Sequence, residues 1–388
     1  DELIQRHGFL SRADALSQAH FPPEGASLNE LDAFKTPAQK RLVFEELFLI
    51  QLGLAFRKKH SAQEITRSAF KTRGEIIKQF VQLLPFTLTT AQKRVLREIM
   101  EDLEKEKSMN RLIQGDVGSG KTIIALTALL TAVDNGTQSA LMVPTEILAE
   151  QHFLNIRPYC EKLGIQLRLI TSALKGKDRL NHYEEIRTGK TQIVVGTHSL
   201  IQKDIQFKKL GLAVIDEQHR FGVLQRDAIG KKGDHPHLLI MTATPIPRSL
   251  ALTLYGDMDV SLLDEFPPGR QKIATTLYYE NRRENAYHIM DKQLQQGRQA
   301  FVVCPLIEES DVMDLRAAVT VFEFIQEKYP KHKACLIHGK LKKEERQDIM
   351  ARFLKKEIQV LVSTTVIEVG IDVPNATTMI IEHAERFG

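Results

Sequence analysis

Eight residues, Gly115-Asp116-Val117-Gly118-Ser119-Gly120-Lys121-Thr122, constrain this chain more than any other stretch. They match Gly-x-x-x-x-Gly-Lys-Ser/Thr, follow the short apolar run Arg111–Ile113, and open an apolar helical segment over Thr122–Val133. A strand, a glycine-rich turn and a helix in that order form a phosphate cradle. The glycines let the backbone curl so that successive N–H groups face one phosphate. The helix N-terminus adds the positive end of its dipole. Lys121 then serves the β- and γ-phosphates as a point charge, and the Thr122 hydroxyl is a magnesium ligand. Such a cradle needs a parallel sheet behind it, so the loop sets a fold class as well as a ligand class.

About a hundred residues later, Asp216-Glu217 ends the run Leu212-Ala213-Val214-Ile215. A strand that ends in acids places them at the carboxyl edge of a sheet, where open α/β folds bind ligands. On its own an acidic pair after a strand is a solvated loop. With the cradle upstream, Asp216 reads as the magnesium-side carboxylate and Glu217 as the base that orients and deprotonates the attacking water. His219 and Gln218 lie beside them, within reach of a γ-phosphate. His219 has no partner at metal-ligand spacing, so a zinc role is not expected.

The hydrophobic pattern divides the chain. Residues 1–85 read as a helical segment without a chemical motif; Ser27 and Glu30 have capping-box spacing. Leu42, Phe44, Leu47, Phe48, Ile50, Leu52, Leu54 and Phe56 predict one long apolar helix, read as a packing or connector element that other parts must cover. From Leu88 short apolar strands alternate with helices. The predicted strands are Arg111–Ile113, Ala140–Val143, Leu167–Ile170, Ile193–Val195, Leu212–Ile215 and Leu238–Met241. Helices are expected over Thr122–Val133 and Glu146–Leu163. Asp264-Glu265-Phe266-Pro267-Pro268-Gly269-Arg270 interrupts the series, since two prolines and a glycine continue neither element. A second series follows, with strands Ala274–Tyr278, Ala300–Val303, Ala334–Ile337, Val360–Ser363 and Thr378–Ile381, and helices Glu284–Gln296, Leu315–Lys328 and Lys343–Leu354. The expectation is α/β: a lobe at 86–263, a linker at 264–270, and a second, unfinished lobe at 271–388, each a parallel sheet covered by helices.

Composition removes other classes. Hydrophobic residues make up 43% of the 388, enough for a sizeable core. Lys and Arg number 53 against 49 Asp and Glu, a net charge of +4 that permits a local nucleic-acid patch without demanding one. Cys160, Cys304 and Cys335 are far apart and form no CxxC pair, which favours a reducing cytoplasm over a disulfide framework or zinc site. No stretch has the length of a membrane span, so no membrane partner is expected.

Further segments occur in a fixed order: Pro144-Thr145-Glu146, Gly196-Thr197-His198-Ser199, Thr242-Ala243-Thr244-Pro245, His338-Gly339 and Ser363-Thr364-Thr365. This set resembles superfamily 2 helicases, whose cores are two RecA-like lobes. The longer strings GDVGSGKT, IDEQHRFGV, TATPIPRSLALTLYGDMDVS, PLIEES and VSTTVIEVGIDVPNA resemble the RecG family of bacterial branched-DNA translocases. The transcription-repair coupling factor has similar strings, but Gln218 favours the RecG spelling. The resemblance covers about residues 86–388. It implies ATP as the nucleotide, with Gln92 reading the adenine edge. Phe86 is either a ring stacked on the base or a core aromatic. It implies Gly370 and Asp372 as the second lobe's share of the nucleotide cleft, and Thr242 and Thr244 as the relay from hydrolysis to movement. Thr145, Thr197, Thr364 and Thr365 would grip the phosphate backbone of one strand, contacts that fix position and not sequence.

The same resemblance implies branched or double-stranded DNA and the single-stranded DNA-binding protein as partners, in the bacterial cytoplasm at the nucleoid. Oligomerisation has no sequence signal, so a monomer is expected. The family's arginine-finger motif would follow shortly after Phe387-Gly388, and its OB-fold wedge domain would precede residue 1. The sequence therefore reads as a fragment, expected to bind nucleotide with weak turnover and little unwinding. Three functions stand open: a translocase remodelling stalled forks and Holliday junctions, a related motor coupling transcription to repair, and an ATP-dependent switch without turnover.

Overall fold

The computed structural model describes residues 2–61, 69–172, 174, 176–217, 228–230, 232–233, 235–243, 258–266, 273–305, 311–364 and 373–386. It divides into two compact units, Asp1–Pro268 and Gly269–Gly388.

The first unit begins with helices α1 (Glu2–His7), α2 (Arg12–His20), α3 (Leu28–Asp32) and α4 (Pro37–Ser61). The spacing at Ser27 and Glu30 caps the five-residue α3, where the Glu30 amide donates to Ser27 Oγ, and not the long helix. The long helix carries its own box one element later. The Thr36 amide donates to Gln39 Oε1 at 3.2 Å and the Gln39 amide to Thr36 Oγ1 at 3.3 Å, with Pro37 at the first helical position. Helix α4 packs on α2, and Phe9 of the α1–α2 connection packs on Phe44 of α4 at 4.6 Å, with Phe48 one turn further along α4 at 5.7 Å from Phe44. Arg41 adds a polar tie by donating to the Leu10 carbonyl. The expected cover is only partial, because Leu47, Leu49 and Phe56 stay exposed.

Next come α5 (Glu75–Leu83), α6 (Thr90–Leu103), β1 (Asn110–Gly115), α7 (Lys121–Asp134), β2 (Gln138–Met142), α8 (Glu146–Lys162), β3 (Leu167–Ile170), α9 (Gly176–Thr188), β4 (Ile193–Gly196), β5 (Leu210–Asp216), β6 (His237–Thr242) and β7 (Asp259–Leu263). The seven strands form one sheet of order β3-β4-β2-β5-β6-β1-β7, and every recorded pairing is parallel. A parallel sheet is buried on both faces, which is why its strands read as near-continuous apolar runs. Helix α7 is the hub. Every residue from Ile124 to Val133 is buried, and the helix packs across β2 and β5. A fully buried Leu129 or Leu130 contributes about 1.5–3 kcal/mol each. Strand β7 escaped the sequence reading because Asp259-Val260-Ser261-Leu262-Leu263 alternates in burial, as an edge strand does.

The second unit holds α10 (Arg283–Gln295), β8 (Gln299–Val303), α11 (Asp311–Lys328), β9 (Ala334–Ile337), α12 (Lys343–Leu354), β10 (Val360–Ser363) and β11 (Ala376–Ile381). Its parallel sheet has the order β11-β8-β10-β9. The expected strand Ala274–Tyr278 is not formed. Residues 273–279 carry no ladder among the described residues, and Ile273 and Leu277 are largely exposed. A strand needs a neighbour for its N–H and C=O groups, and apolar alternation does not supply one. The core collects around Tyr287, whose hydroxyl donates to Glu382 at 2.5 Å while Arg283 pairs with the same carboxylate. Burial and that carboxylate push the Tyr287 phenol far above its usual range.

Candidate nucleotide site

The cradle sits where β1 hands over to α7. Gly118 and Gly120 have φ of +77° and +92°, the left-handed region that glycine enters without a Cβ clash. A Cβ on Gly115 would lie 2.7 Å from Leu263 Cβ and 2.8 Å from Ser119 Oγ, so the loop closes tightly on β7. The amides of Ile123 and Ile124 donate to the Gly120 carbonyl and start the helix. Lys121 Nζ donates to the carbonyls of Gly115 and Asp116 at 2.7 and 3.0 Å, which folds its ammonium over the loop. Asp116, Val117 and Gly118 form the exposed crown of the loop, Ser119 is buried beneath it, and Thr122 is half-buried at the first turn.

Gln92 braces this loop from α6. Its Oε1 accepts from the Thr89 amide at 3.0 Å, completing a capping box, and its Nε2 donates to the Ser119 carbonyl at 2.9 Å. The side chain is only 2% exposed. Thus the residue expected to read a base has both ends of its amide engaged by the protein. A Cβ on Gly120 would land on the same Nε2. Phe86 is no core aromatic, since its ring is about half exposed.

The chain leaving β7 is fastened to the same helix. Glu265 Oε2 accepts from the Ala91 amide at 3.0 Å, and Arg94 donates to the Leu262 carbonyl and to Asp264 at 2.7 and 2.8 Å. The Arg94 guanidinium holds the Asp264 carboxyl below the usual carboxylate range.

Asp216 ends β5, Glu217 follows it directly, and both are buried. Asp216 Oδ1 accepts from the Glu217 amide at 3.0 Å, and Oδ2 lies 2.9 Å from His152 Nε2 on α8. Glu217 has φ of +52°, a conformation that costs a non-glycine residue about 1–3 kcal/mol and gathers at functional sites. Register relates the pieces: Asp216 is level with Met241 of β6, and Thr242 of β6 is level with Gln114 of β1. The acidic pair and the cradle therefore share one sheet edge, two strands or about 10 Å apart, with buried Thr242 between them.

The other half of that edge carries the threonines. Thr145, three residues past β2, caps α8 and accepts from the Leu148 amide. Thr197, next after β4, caps the turn His198–Ile201 and is buried. In the second unit Thr364 follows β10, is buried, and its hydroxyl has no hydrogen-bond partner among the described residues. His219, Thr244, Thr365, Gly370 and Asp372 lie outside the described residues.

Magnesium fits the donors present. Among the described residues no group of three or more His, Cys, Asp or Glu could hold a metal. Asp216 and Thr122 offer hard oxygens, and magnesium is held by one or two such groups with phosphates and water completing its shell. Sequence reasoning missed His152 and the Arg94–Asp264 tie, because both join residues far apart in the chain.

Comparison with known proteins agrees with this geometry. The DEAD/DEAH box helicase model matches residues 89–253, and the helicase conserved C-terminal domain model matches 282–386. The class is therefore a two-part P-loop helicase core, built on two RecA-like lobes. The ATP-dependent DNA helicase RecG of Synechocystis is 46% identical over 388 residues, covering 100% of this chain and 46% of that protein. The Haemophilus influenzae RecG is 48% identical, covering 97% of this chain and 55% of its own length. A solved structure of RecG bound to a three-way DNA junction superposes with a TM-score of 0.84 at 40% identity, over 100% of this chain and 50% of that one. The chain belongs to the RecG type of superfamily 2 helicases, and it spans about half the length of the curated relatives it matches. The RNA-bound Mss116p structure, at 17% identity and a TM-score of 0.57, shares the fold.

Proposed function

We propose that this chain is the motor core of an ATP-driven translocase that remodels branched DNA, such as stalled forks and Holliday junctions, in repair and recombination. The observation that carries the reading is the shared sheet edge. Cradle, Thr242, Asp216 and Glu217 fall within two strands of each other, as hydrolysis of one bound triphosphate requires. The relatives' names supply ATP and DNA, and the junction-bound RecG supplies the branched substrate.

In this mechanism Lys121 leaves the Gly115 and Asp116 carbonyls and takes the β- and γ-phosphates. Thr122 and Asp216 would hold magnesium, which would supply charge neutralisation at the phosphates. Glu217, held by its strained backbone, accepts a proton from the attacking water. Thr242 and Thr244 relay the loss of the γ-phosphate. Thr145, Thr197, Thr364 and Thr365 hold the strand without reading its sequence. His219, Gly370 and Asp372 are further nucleotide contacts that the resemblance implies. Residues 264–270 act as the linker that lets closure advance one lobe along DNA.

The test is phosphate release with and without a three-way junction, on the full-length protein and its Glu217→Gln variant. Junction-stimulated release that vanishes in the variant is the expected outcome. Release unaffected by the substitution would overturn the catalytic assignment of Glu217, and a full-length protein with no junction-stimulated release at all would leave a nucleotide-dependent switch as the better reading.

A further inference from the structure

We propose that His152 is a positioning residue for Asp216, and that it ties the metal-side carboxylate to the helix facing DNA. This rests on the motor reading given above.

Both oxygens of Asp216 are held, and by different parts of the protein. Oδ1 takes the amide of the next residue, which moves with β5 itself. Oδ2 takes His152 Nε2 at 2.9 Å, and that ring comes from α8. The two side chains are 9% and 12% exposed, so water offers little substitute for the contact. His152 Nδ1 has no partner among the described residues, so the ring's recorded hydrogen bond is the one to Asp216. With a carboxylate as acceptor, Nε2 carries the proton and donates it. A carboxylate fixed on both oxygens presents its remaining lone pairs in one direction, which suits a metal shell that demands near-octahedral geometry.

The connection also has a direction along the chain. His152 lies seven residues, or about 10 Å, along the helix that Thr145 caps. The start of that helix is held separately: Glu146 accepts from the Ser172 amide at 2.9 Å and from the Ser172 hydroxyl. A DNA backbone gripped at the N-terminus of α8 therefore pulls on a rigid rod whose second turn grips Asp216. Strands β2 and β5, which lead into these two residues, are sheet neighbours, with Met142 level with Ile215. The lever is short and crosses no hinge.

The test uses the full-length protein with His152→Phe, which fills the space without the bond, and His152→Gln, whose amide nitrogen can reach the same oxygen. Affinity for a fluorescent ATP analogue in EDTA should stay within about twofold for both. For His152→Phe the magnesium concentration giving half-maximal phosphate release should rise about 10–100-fold, and stimulation by a three-way junction should fall with it. His152→Gln should recover most of both losses. Wild-type magnesium dependence and wild-type junction stimulation in His152→Phe would overturn the proposal. So would a His152→Gln variant that fails as badly as Phe, since a donor returned to Asp216 Oδ2 would then restore nothing. Should His152→Phe fail to fold, His152→Asn replaces it, with an amide too short to reach Oδ2 and the same losses expected. Glu217→Gln is run in parallel. If it also keeps wild-type release, the catalytic assignment within the motor reading has failed; if it alone is inactive, only the role of His152 has.

Discussion

The carboxyl edge of the seven-stranded sheet is built differently on its two halves. On the β5-β6-β1 half, ionisable and polar groups are buried and pinned. Asp216 is held on both oxygens, Glu217 sits at a positive φ, and Gln92 clamps the loop below Ser119. On the β2-β4 half the functional candidates are threonines that cap helical turns, and they hold no charge. On the motor reading proposed above, the difference follows from what each half would do. Cleaving a phosphoanhydride needs charges fixed in advance, because reorganisation during the reaction raises the barrier. Holding any DNA sequence needs only backbone-facing donors that fix position. One half therefore accepts strain, and the other is ordinary helix-capping chemistry.

Substitutions at the pinned half should break turnover without touching the capped half. The largest effect belongs to Glu217→Gln, which removes the base while keeping size and burial. Phosphate release should fall about 10²–10⁴-fold, with DNA affinity unchanged in a band-shift titration. Lys121→Ala comes next. It deletes a charge-assisted contact of about 1.5–3 kcal/mol, so nucleotide affinity should fall about 10–100-fold by fluorescence titration. Equal loss of DNA affinity in either variant would collapse the distinction between the halves.

Gln92→Ala sharpens the contrast by attacking a brace and not a reacting group. The substitution leaves the Thr89 amide and the Ser119 carbonyl without their partner. The cost should be about 1–2 kcal/mol of stability in urea unfolding, with nucleotide affinity reduced in step. A loss of adenine discrimination with no loss of stability would show instead that the amide turns outward to read the base.

The pinned half was the more legible in sequence, for a physical reason. Its parts are a glycine-dependent loop and a strand ending in acids, and both signals are local. The strands themselves showed because a parallel sheet buries both faces of Ala140, Leu141, Val194 and Val195. What failed to show was non-local. His152 meets Asp216 across 64 residues, and no helical period marks it. Gln92 stood out, but the Thr89 and Ser119 contacts it makes in the protein did not, although Thr89-x-x-Gln92 has the spacing of a capping box. Ala274–Tyr278 has a strand's composition without a strand's neighbour. Thr36-Pro37-Ala38-Gln39 marks the start of α4 locally, while the similar spacing at Ser27 and Glu30 marks only the short α3.

The capped half gives the smallest and most discriminating effect. Thr145→Ala removes the side-chain acceptor at the start of α8, worth about 1 kcal/mol at a helix N-cap. If capping were its only role, Thr145→Ser would restore stability and DNA affinity together, since both hydroxyls accept from the Leu148 amide. If the hydroxyl also donates to a DNA phosphate, Thr145→Asn separates the two functions. Asparagine caps as well as threonine, yet it places its amide where a hydroxyl proton would point. Melting temperature should then be kept in Thr145→Asn, while DNA affinity falls about threefold to tenfold, the equivalent of one hydrogen bond. Nucleotide affinity should not move in any of the three variants. A nucleotide effect as large as the DNA effect would mean that α8 transmits from this end to Asp216 even without a strand bound, and the two halves of the edge would have to be treated as one site.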